Sequence, residues 1–286
     1  MKLLVLILAS TLSAQAACNR WFIDFESGSA NGTTVTAALL TNSTRGDGLS
    51  WTAVNSPAGG VTFATAGQHN ITGNVVDLCG DENLTTAGAL GLSASADSGT
   101  ARYWRAGYPT PAKSASLGFW FYTDLDPNAN VNIDIMDFFC VSNASFMNFD
   151  LISQPSRDDF RLAMENFGDQ TPSISGVTNG FWWWISGIVE HSSGSNVIQI
   201  YNASSNIIGT IYSKYTSAIY YDASKVGVHS IAAMTDSGKF CYYDGLIIDA
   251  TASPQWPLPP GSGPPPAPAI TRSFGGQLQI AGRVQF

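Results

Sequence analysis

Two aspartates and a glutamate are the carboxylates whose positions suit catalysis. Asp134 and Asp137 lie in the strand-like segment 132–137, and Glu190 ends another strand-like segment. Glycoside hydrolysis needs a pair of carboxyl groups that face one cleft. Asp134 and Asp137 have opposite parity in a regular strand, so they share a face only if a β-bulge separates them. If the protein is an enzyme, Asp134, Asp137 and Glu190 are the expected catalytic residues.

Three consecutive tryptophans supply a second kind of candidate site. Trp183 has the same parity as the apolar residues Ile185 and Val189. Because side chains alternate across a strand, we predict that Trp183 faces the core. Trp182 and Trp184 then lie on the other face, half exposed, where they could stack on sugar rings. The alternative, which the usual burial of aromatic residues favours, is that they pack under a loop or a second sheet.

Residues 102–108 carry more aromatic and basic side chains, in a segment that could be a strand or a loop facing a ligand. Aromatic rings supply contact area, and a few hydrogen bonds set specificity. Together with Trp182 and Trp184, the predicted ligand-binding residues are Arg102, Tyr103, Trp104, Arg105 and Tyr108. The three histidines, at positions 69, 191 and 229, are too scattered to indicate a site, and a lone histidine in a strand is usually structural.

The N-terminus indicates an exported protein. Lys2, the apolar run 3–12 and the Ala-x-Ala cleavage signal at 14–16 form a secretory signal peptide that covers residues 1–16. No later segment is long and apolar enough to be a transmembrane helix. The formal net charge of −8 argues against nucleic acid as a partner, because phosphates need basic patches. We therefore expect a secreted, periplasmic or cell-surface protein. Residues 15–18 resemble a bacterial lipoprotein box without its usual leucine, which leaves lipidation of Cys18 open.

Four cysteines remain after signal cleavage: Cys18, Cys79, Cys140 and Cys241. An even number in an exported chain suggests two disulfides, with three possible connectivities. We prefer Cys18–Cys79 with Cys140–Cys241. The alternative is that one or both pairs are free and buried.

Apolar and polar residues alternate in short runs that Gly, Ser and Asn clusters separate, which is the signature of strands and turns. Segment 181–212 predicts three consecutive antiparallel strands at 182–191, 197–202 and 207–212. Further strong strands are predicted at 114–123, 131–141, 146–153 and 159–166, with a closing hairpin of 225–234 and 239–250, and weaker ones at 33–40, 49–54, 61–64 and 89–94. No stretch has a helical period. The fold class is therefore all-β, an antiparallel two-sheet sandwich.

The C-terminal part differs in composition from the rest. A β-sandwich domain is predicted for residues 17–252, and the Pro/Gly-rich segment 253–268 reads as an extended linker. In the tail 269–286, polar and apolar residues alternate. Residues 270–286 could add a strand to a sheet edge in this chain or in a neighbour, so self-association is possible. A frayed terminus is the alternative.

Three segments resemble the concanavalin A-like lectin/glucanase superfamily, and laminin-G-like jelly rolls in particular. They are Phe-Glu-Ser-Gly at 25–28, the segment 185–209 with its preceding Trp184, and the closing strand 242–249. The resemblance implies a jelly-roll sandwich whose last strand pairs with the first. It also implies glycan binding, adhesion or glycan cleavage, and a fold does not choose among these.

The resemblance also implies a calcium site and a catalytic motif with which this sequence can be compared. Calcium is often held between the first and last strands of such domains, and Glu26, Asp244 and the carbonyl of Gly28 are the matching positions. A second candidate is the run of oxygens at alternate positions in 124–130, although an ordinary Asx-rich turn explains it better, because the glycine and the final Glu of an EF-hand are missing. The related glucanases carry Glu-x-Asp-x-Glu on one strand, whereas Asn132 replaces the first Glu here.

Three functions remain in view. The first is an exported, non-catalytic β-sandwich that acts in carbohydrate binding or adhesion. Its partner would be a polysaccharide or a cell-surface glycan. The second is a glycan hydrolase or polysaccharide lyase of the same fold. The third is a structural surface or assembly protein joined through its C-terminal strand.

Overall fold

A computed structural model of the protein describes residues 19–26, 30–54, 61–64, 91–96, 101–140, 145–154, 156–166, 169–190, 195–214, 220–230 and 239–251. The predicted signal peptide, linker and tail lie outside the described residues, as do Cys18, Gly28 and Cys79. Statements below concern the described part of the chain.

The described residues form sixteen strands and one short helix. In chain order they are β1 Arg20–Ile23, α1 Ala37–Ser43, β2 Thr44–Arg45, β3 Ser50–Val54, β4 Val61–Ala64, β5 Gly91–Ala96, β6 Ala101–Ala112, β7 Ser114–Thr123, β8 Asn132–Cys140, β9 Ser145–Ser153, β10 Phe160–Asn166, β11 Asp169–Val177, β12 Trp183–Glu190, β13 Ser195–Tyr201, β14 Ile207–Lys214, β15 Tyr221–Ser230 and β16 Lys239–Asp249.

The strands form two antiparallel sheets packed face to face, which confirms the predicted fold class. The nine-stranded sheet has the order β14-β13-β12-β7-β16-β1-β2, and β5 joins β16 to β4. The seven-stranded sheet has the order β11-β10-β9-β8-β15-β6-β3. The first strand β1 pairs with the last strand β16, as the resemblance implied. The core between the sheets contains the alternate apolar residues of both.

The core face of β12 is the one that the sequence predicted. Trp183, Ile185 and Val189 are buried in the core between the sheets. A Cβ built on Gly187 would lie 2.7 Å from the Met136 side chain of the opposite sheet, so the two sheets approach each other closely here. The parity rule therefore assigned Trp183 to the correct face.

The N-terminal third contains a helix where the sequence suggested a weak strand at 33–40. Helix α1 begins after Thr36, whose Oγ1 accepts a hydrogen bond from the Leu39 backbone N–H at 3.3 Å. The run Ala37 to Leu40 has high helix propensity, and an N-cap threonine is sufficient to start a single short helix. Seven residues give too few turns for a helical period to show.

The predicted closing hairpin is wrong. β15 pairs with β6 and β8 in the seven-stranded sheet, whereas β16 pairs with β7, β1 and β5 in the nine-stranded sheet. The chain therefore crosses from one sheet to the other between residues 230 and 239. Alternation of polar and apolar residues identifies each strand but does not show which strand it pairs with. The sequence therefore could not distinguish a hairpin of β15 and β16 from pairing with other strands.

An edge strand of the nine-stranded sheet exposes large apolar side chains. β14 ends the strand order, and Ile207, Ile208 and Tyr212 on it are exposed. An exposed apolar edge strand is a template for pairing with another chain. We expect concentration-dependent self-association that Ile208→Lys reduces, measured by light scattering during size-exclusion chromatography. Tyr220→Lys, which changes an exposed tyrosine away from this edge, is the matched control. Equal association in all three proteins would contradict this expectation.

Candidate functional site

Polar side chains from neighbouring strands cover the outer face of the seven-stranded sheet. In this sheet β15 lies between β6 and β8. Lys225 of β15 lies opposite Arg105 of β6, and His229 lies opposite Asp134 of β8. Side chains at opposed positions lie side by side on one face. We call this surface the polar face and define it by Tyr103, Arg105, Asp134, Asp137, Asn148, Asp150, Lys225 and His229.

A β-bulge in β8 places both aspartates on the polar face. Asp134 pairs with Asp150, and Asp137 pairs with Asn148. The register shifts between Asp134 and Met136. Because residues 148 and 150 are two apart and share a face, their partners share it too. The bulge is therefore the feature that the sequence required for Asp134 and Asp137 to act on one surface.

Asp134 is the centre of an ionic cluster. Its Oδ2 lies 3.5 Å from the Lys225 Nζ and 3.4 Å from the His229 Nδ1. Its Oδ1 accepts a hydrogen bond from the Asn148 Nδ2 at 3.0 Å. Asp134 is buried, whereas 43% of the His229 side chain is exposed. The cluster therefore reaches solvent through His229.

The surroundings keep Asp134 ionised. Burial by itself would raise the pKa of Asp134, but the Lys225 ammonium and the hydrogen-bonding side chains of His229 and Asn148 outweigh burial and hold that pKa well below its usual range. A carboxylate of this kind accepts hydrogen bonds and does not donate a proton near neutral pH. Asp134 is therefore a poor general acid.

Lys225 contributes a buried positive charge to the polar face. Only 1% of its side chain is exposed. Among the described residues, its Nζ has the ion pair with Asp134 and a position 5.3 Å above the Tyr103 ring, but no hydrogen-bond acceptor. Lysine is almost never buried without a partner, because its desolvation is costly. Because a buried ion pair is weak evidence of a net gain in stability, Lys225 is a candidate functional residue.

Aromatic rings and a guanidinium lie beside the ionic cluster. The Tyr103 ring stacks on Phe139 with centroids 6.1 Å apart, and it lies 6.3 Å from the His229 ring. The Arg105 guanidinium lies 4.2 Å above the Phe139 ring and 3.6 Å from the Asp222 carboxylate. Burial and the nearby Asp137 raise the pKa of Tyr103, so its hydroxyl stays protonated. The polar face thus combines rings, hydrogen-bond donors and charges of both signs.

Of the seven predicted ligand-binding residues, the polar face contains Tyr103 and Arg105. Trp104 and Tyr108 are buried in the core between the sheets, where Tyr108 hydrogen-bonds Ser224 and stacks on Trp21 with centroids 5.9 Å apart. Alternation along β6 explains this division, because residues 104 and 108 have opposite parity to residues 103 and 105. Arg102 is partly buried and has the parity of Trp104.

The two outer tryptophans of β12 belong to the other sheet. Trp184 has no exposed surface and packs edge-to-face on Trp120 with centroids 5.5 Å apart, so a sugar ring cannot reach it here. Trp182 precedes β12 and is half-buried beside Tyr122. Glu190 ends β12 opposite Ser114, in the nine-stranded sheet. The expectation that Glu190 joins Asp134 and Asp137 in one catalytic group is therefore wrong, because the two sheets separate them.

Lys225, Asn148 and Asp150 were not predicted from the sequence, and His229 was predicted to be structural. One signal was available: Lys225 and His229 interrupt an apolar strand at alternate positions and so share a face. Nothing in the sequence indicated that β15 pairs with β8, which is the contact that brings His229 to Asp134.

The predicted metal positions are only partly described. Glu26 and Asp244 are described, and Gly28 is not. Oδ1 of Asp244 accepts a hydrogen bond from the Gly245 backbone N–H at 2.8 Å. Across the described ranges, no group of three His, Cys, Asp or Glu side chains could hold a metal ion. In the turn 124–130, Asp126 Oδ1 accepts a bond from the Asn128 backbone N–H at 2.9 Å, as in an ordinary Asx turn. Calcium remains a prediction for the site at Gly28.

The preferred disulfide between Cys140 and Cys241 is wrong. Both are free, buried thiols, in agreement with the alternative that the sequence left open. Cys140 ends β8 in the seven-stranded sheet, and Cys241 lies near the start of β16 in the nine-stranded sheet. The Cys241 Sγ lies 3.5 Å from the Thr123 Oγ1, and burial raises the pKa of Cys241 to about 12. The pairing of Cys18 with Cys79 lies outside the described residues.

No helix among the described residues has the length and apolarity needed to cross a membrane. No protein-family profile matches the sequence, and no curated protein sequence matches it.

The comparison with solved structures found matches of low similarity. The receptor-binding domain of botulinum neurotoxin type G is 13% identical over 72% of this chain and 44% of that chain, with a TM-score of 0.42. The binding domain of botulinum neurotoxin DC, in complex with rat synaptotagmin II, is 14% identical over 57% of this chain and 40% of that chain, with a TM-score of 0.40. Lectin II from Ulex europaeus is 11% identical over 66% of this chain and 97% of that chain, with a TM-score of 0.39. This chain spans less than half the length of the toxin structures. Scores of this size carry no argument about function, and the β-sandwich assignment rests on the strand pairing described above.

Proposed function

We propose that the protein is an exported carbohydrate-binding β-sandwich and that the polar face is its glycan-binding surface. The observation that carries the proposal is the buried Lys225–Asp134 pair with Tyr103, Arg105 and His229 around it. Carbohydrate ligands need ring contact and several fixed hydrogen-bonding groups at once. Tyr103 supplies the ring, and the charged groups supply donors and acceptors already held in place. The net charge of −8 and the charges of both signs suit a hydroxyl-rich ligand better than a phosphate polymer.

The fixed geometry of the polar face supports binding. Asn148, Lys225 and His229 all surround Asp134, so little side-chain motion remains to be lost when a ligand binds. Tyr103, Arg105, Asn148 and His229 are the members of the polar face that are partly exposed, and among them the rings of His229 and Tyr103 are adjacent. We therefore expect a ligand to contact His229 and Tyr103 directly and the buried charges through them.

The test is binding of residues 17–286 to a panel of soluble and insoluble polysaccharides. We expect Tyr103→Ala and His229→Ala each to weaken binding by about tenfold, or ~1.4 kcal/mol, because each removes a contact at the exposed part of the polar face. Tyr212→Ala removes a tyrosine that is 64% exposed on the other sheet and serves as the matched control. Unchanged affinity in both polar-face variants would place the binding surface elsewhere, and no binding by the wild type would reject the proposal for that panel.

We also propose a test of calcium binding on the same protein. Of the predicted ligands Glu26, Gly28 and Asp244, Glu26 follows β1 and Asp244 lies in β16, two strands of the sheet opposite the polar face, and Gly28 lies outside the described residues. If calcium stabilises this region, a chelator lowers the melting temperature and leaves the contacts of Tyr103 and His229 in place. Isothermal titration of the protein with calcium provides a second readout.

An enzymatic function is the second candidate, and one observation favours it. Tyr103, which can donate a proton, and His229, which can accept one, lie with ring centroids 6.3 Å apart beside two cationic side chains, Lys225 and Arg105. This set suits elimination from an acidic polysaccharide better than hydrolysis, because Asp134 is held ionised and cannot act as the general acid. Release of unsaturated oligosaccharides in the binding tubes would identify a lyase. Binding without any product supports the non-catalytic function.

A further inference from the structure

A row of aromatic rings lies on the outer face of the other, nine-stranded sheet. Trp182 and Tyr122 have ring centroids 5.5 Å apart, and Tyr122 and Tyr242 have centroids 5.6 Å apart. Phe240 follows, with its centroid 6.2 Å from that of Tyr242. We call these four residues the aromatic row. Each ring contacts the next, so they form a continuous surface.

Strand pairing explains why four residues from three separate segments form one row. Tyr122 of β7 lies directly opposite Tyr242 of β16. Trp183 of β12 lies opposite Phe121, which brings the preceding Trp182 beside Tyr122. Phe240 is two residues before Tyr242, and side chains two apart in a strand share a face.

The aromatic row is accessible, unlike the aromatic pair next to it on the same face. Trp120 and Trp184 are fully buried, whereas Trp182, Tyr122 and Tyr242 are half-buried. Phe240 is 36% exposed, and the neighbouring Phe181 is 62% exposed. Exposed apolar surface that is contiguous indicates a binding site more often than scattered exposed residues do. The row thus presents rings that are held by packing and yet open to a ligand.

We propose that the aromatic row is a second carbohydrate-binding surface, which takes a single extended chain of an uncharged polysaccharide. Rings placed one after another match successive sugar rings of a chain, and each sugar can present a face of C–H groups to an aromatic ring. The inference shares with the proposed function the assumption that the ligands are glycans, but it rests on different residues in the opposite sheet.

Ring tilt selects the physical form of the polysaccharide. Along the row, neighbouring ring planes are inclined to each other by 47°, 69° and 42°. The rings therefore share no common plane, and the flat surface of a crystalline polysaccharide cannot contact them all. A single chain can turn from one sugar to the next and follow the tilt. The row should bind dissolved chains and fail to bind crystals of the same polymer.

Charge selects an uncharged chain. Asp124 lies close to Tyr242, and its Oδ1 accepts a hydrogen bond from the Phe240 backbone N–H at 2.6 Å. Burial raises the pKa of Tyr242, and Asp124 and Tyr122 raise it further, so the Tyr242 hydroxyl remains a hydrogen-bond donor for sugar hydroxyls. A carboxylate at the row and the net charge of −8 both disfavour anionic polysaccharides.

The experiment measures binding of residues 17–286 to β-1,4-glucan oligosaccharides of increasing length, to crystalline cellulose and to alginate. We expect affinity for the oligosaccharides to rise with length until the four rings are covered. Trp182→Ala and Tyr242→Ala should each weaken it by about tenfold. Tyr212→Ala is the control for loss of an exposed tyrosine. A thermal melt of each variant shows whether weaker binding reflects a lost ring contact or a less stable fold. Phe240→Ala is a further variant, at the exposed end of the row, that is measured in the same way.

The outcomes separate this inference from the proposed function. If Tyr103→Ala leaves oligosaccharide binding intact while Trp182→Ala weakens it by about tenfold, the aromatic row is a site in its own right. If the wild type binds glycans and the double variant of Trp182 and Tyr242 binds them equally well, the inference is wrong and the polar face is unaffected. Binding to crystalline cellulose with the affinity of the dissolved chains would also overturn it. The inference would also be wrong if the aromatic row bound a synthetic peptide of residues 253–268 tightly and did not bind the sugars. Proline-rich peptides are the alternative ligand because they also dock on aromatic surfaces.

Discussion

Replacement of Lys225 by methionine is expected to lower the free energy of unfolding by about 3–5 kcal/mol, because it leaves the buried Asp134 carboxylate without its ammonium partner. Methionine has nearly the same length and volume, so little packing is lost. Chemical denaturation measures the change. Arg157→Met is the matched control: the Arg157 side chain is 55% exposed, and its partner Asp159 keeps a hydrogen bond from the Gly176 backbone N–H when the arginine is removed, so we expect a smaller loss of stability than for Lys225→Met.

Two further measurements test the same pair. Adding Asp134→Asn to Lys225→Met should restore part of the lost stability, because it removes the uncompensated charge. The pH dependence should also change. The pKa of Asp134 is lowered in the folded protein, so the stability that its ionisation contributes is present above its unfolded value of about 3.9 and is lost as the pH falls through the acid range. In Lys225→Met this acid loss should shrink. Equal destabilisation by Lys225→Met and Arg157→Met would show that the buried pair has no special role.

Replacement of Gly227 by alanine is expected to destabilise the fold by about 2–4 kcal/mol and to weaken ligand binding at the polar face. Gly227 has a φ of +115°, and a Cβ there would lie 2.5 Å from the Arg102 carbonyl oxygen and 2.8 Å from the Tyr103 Cα. These are backbone atoms, which cannot move without shifting β6 and with it the Tyr103 ring. Gly227→Ala is therefore expected both to lower the stability of the fold and to displace Tyr103, a proposed ligand contact.

Gly180→Ala is the control for Gly227→Ala. Gly180 has a φ of +77°, but a Cβ there would meet no atom within 4 Å. It should cost only the conformational strain of about 1–2 kcal/mol. Denaturation of both variants, followed by polysaccharide titration at a temperature where both are folded, separates the two effects. If Gly227→Ala loses no more stability than Gly180→Ala and binds as the wild type does, the close approach of β15 to β6 is not a constraint on the site.

The strands themselves could be read from local pattern, and the reason is physical. In residues 114–123 the core side chains Ala115, Leu117, Phe119 and Phe121 alternate with residues of the outer face, and this period of two is visible in the consecutive residues. The segments predicted at 49–54 and 61–64 match β3 and β4 to within one residue. β11 was missed, because Asp169 to Ser175 is mainly polar. The single helix was missed because it has only seven residues.

The candidate site was harder to predict because its members come from distant parts of the chain. The sequence alone determined an all-β sandwich, a core position for Trp183, and the condition that a bulge is needed to place Asp134 and Asp137 together. Only the tertiary structure decided that the bulge exists, that β15 lies between β6 and β8, and that Lys225 therefore reaches Asp134. It also decided that Trp184 is buried while Trp182 joins the aromatic row. The face on which a side chain lies follows from its position in the strand, which is local information. The partner and register of a strand depend on the packing of the whole sandwich. A site on a sheet surface depends on the face and on the strand pairing together.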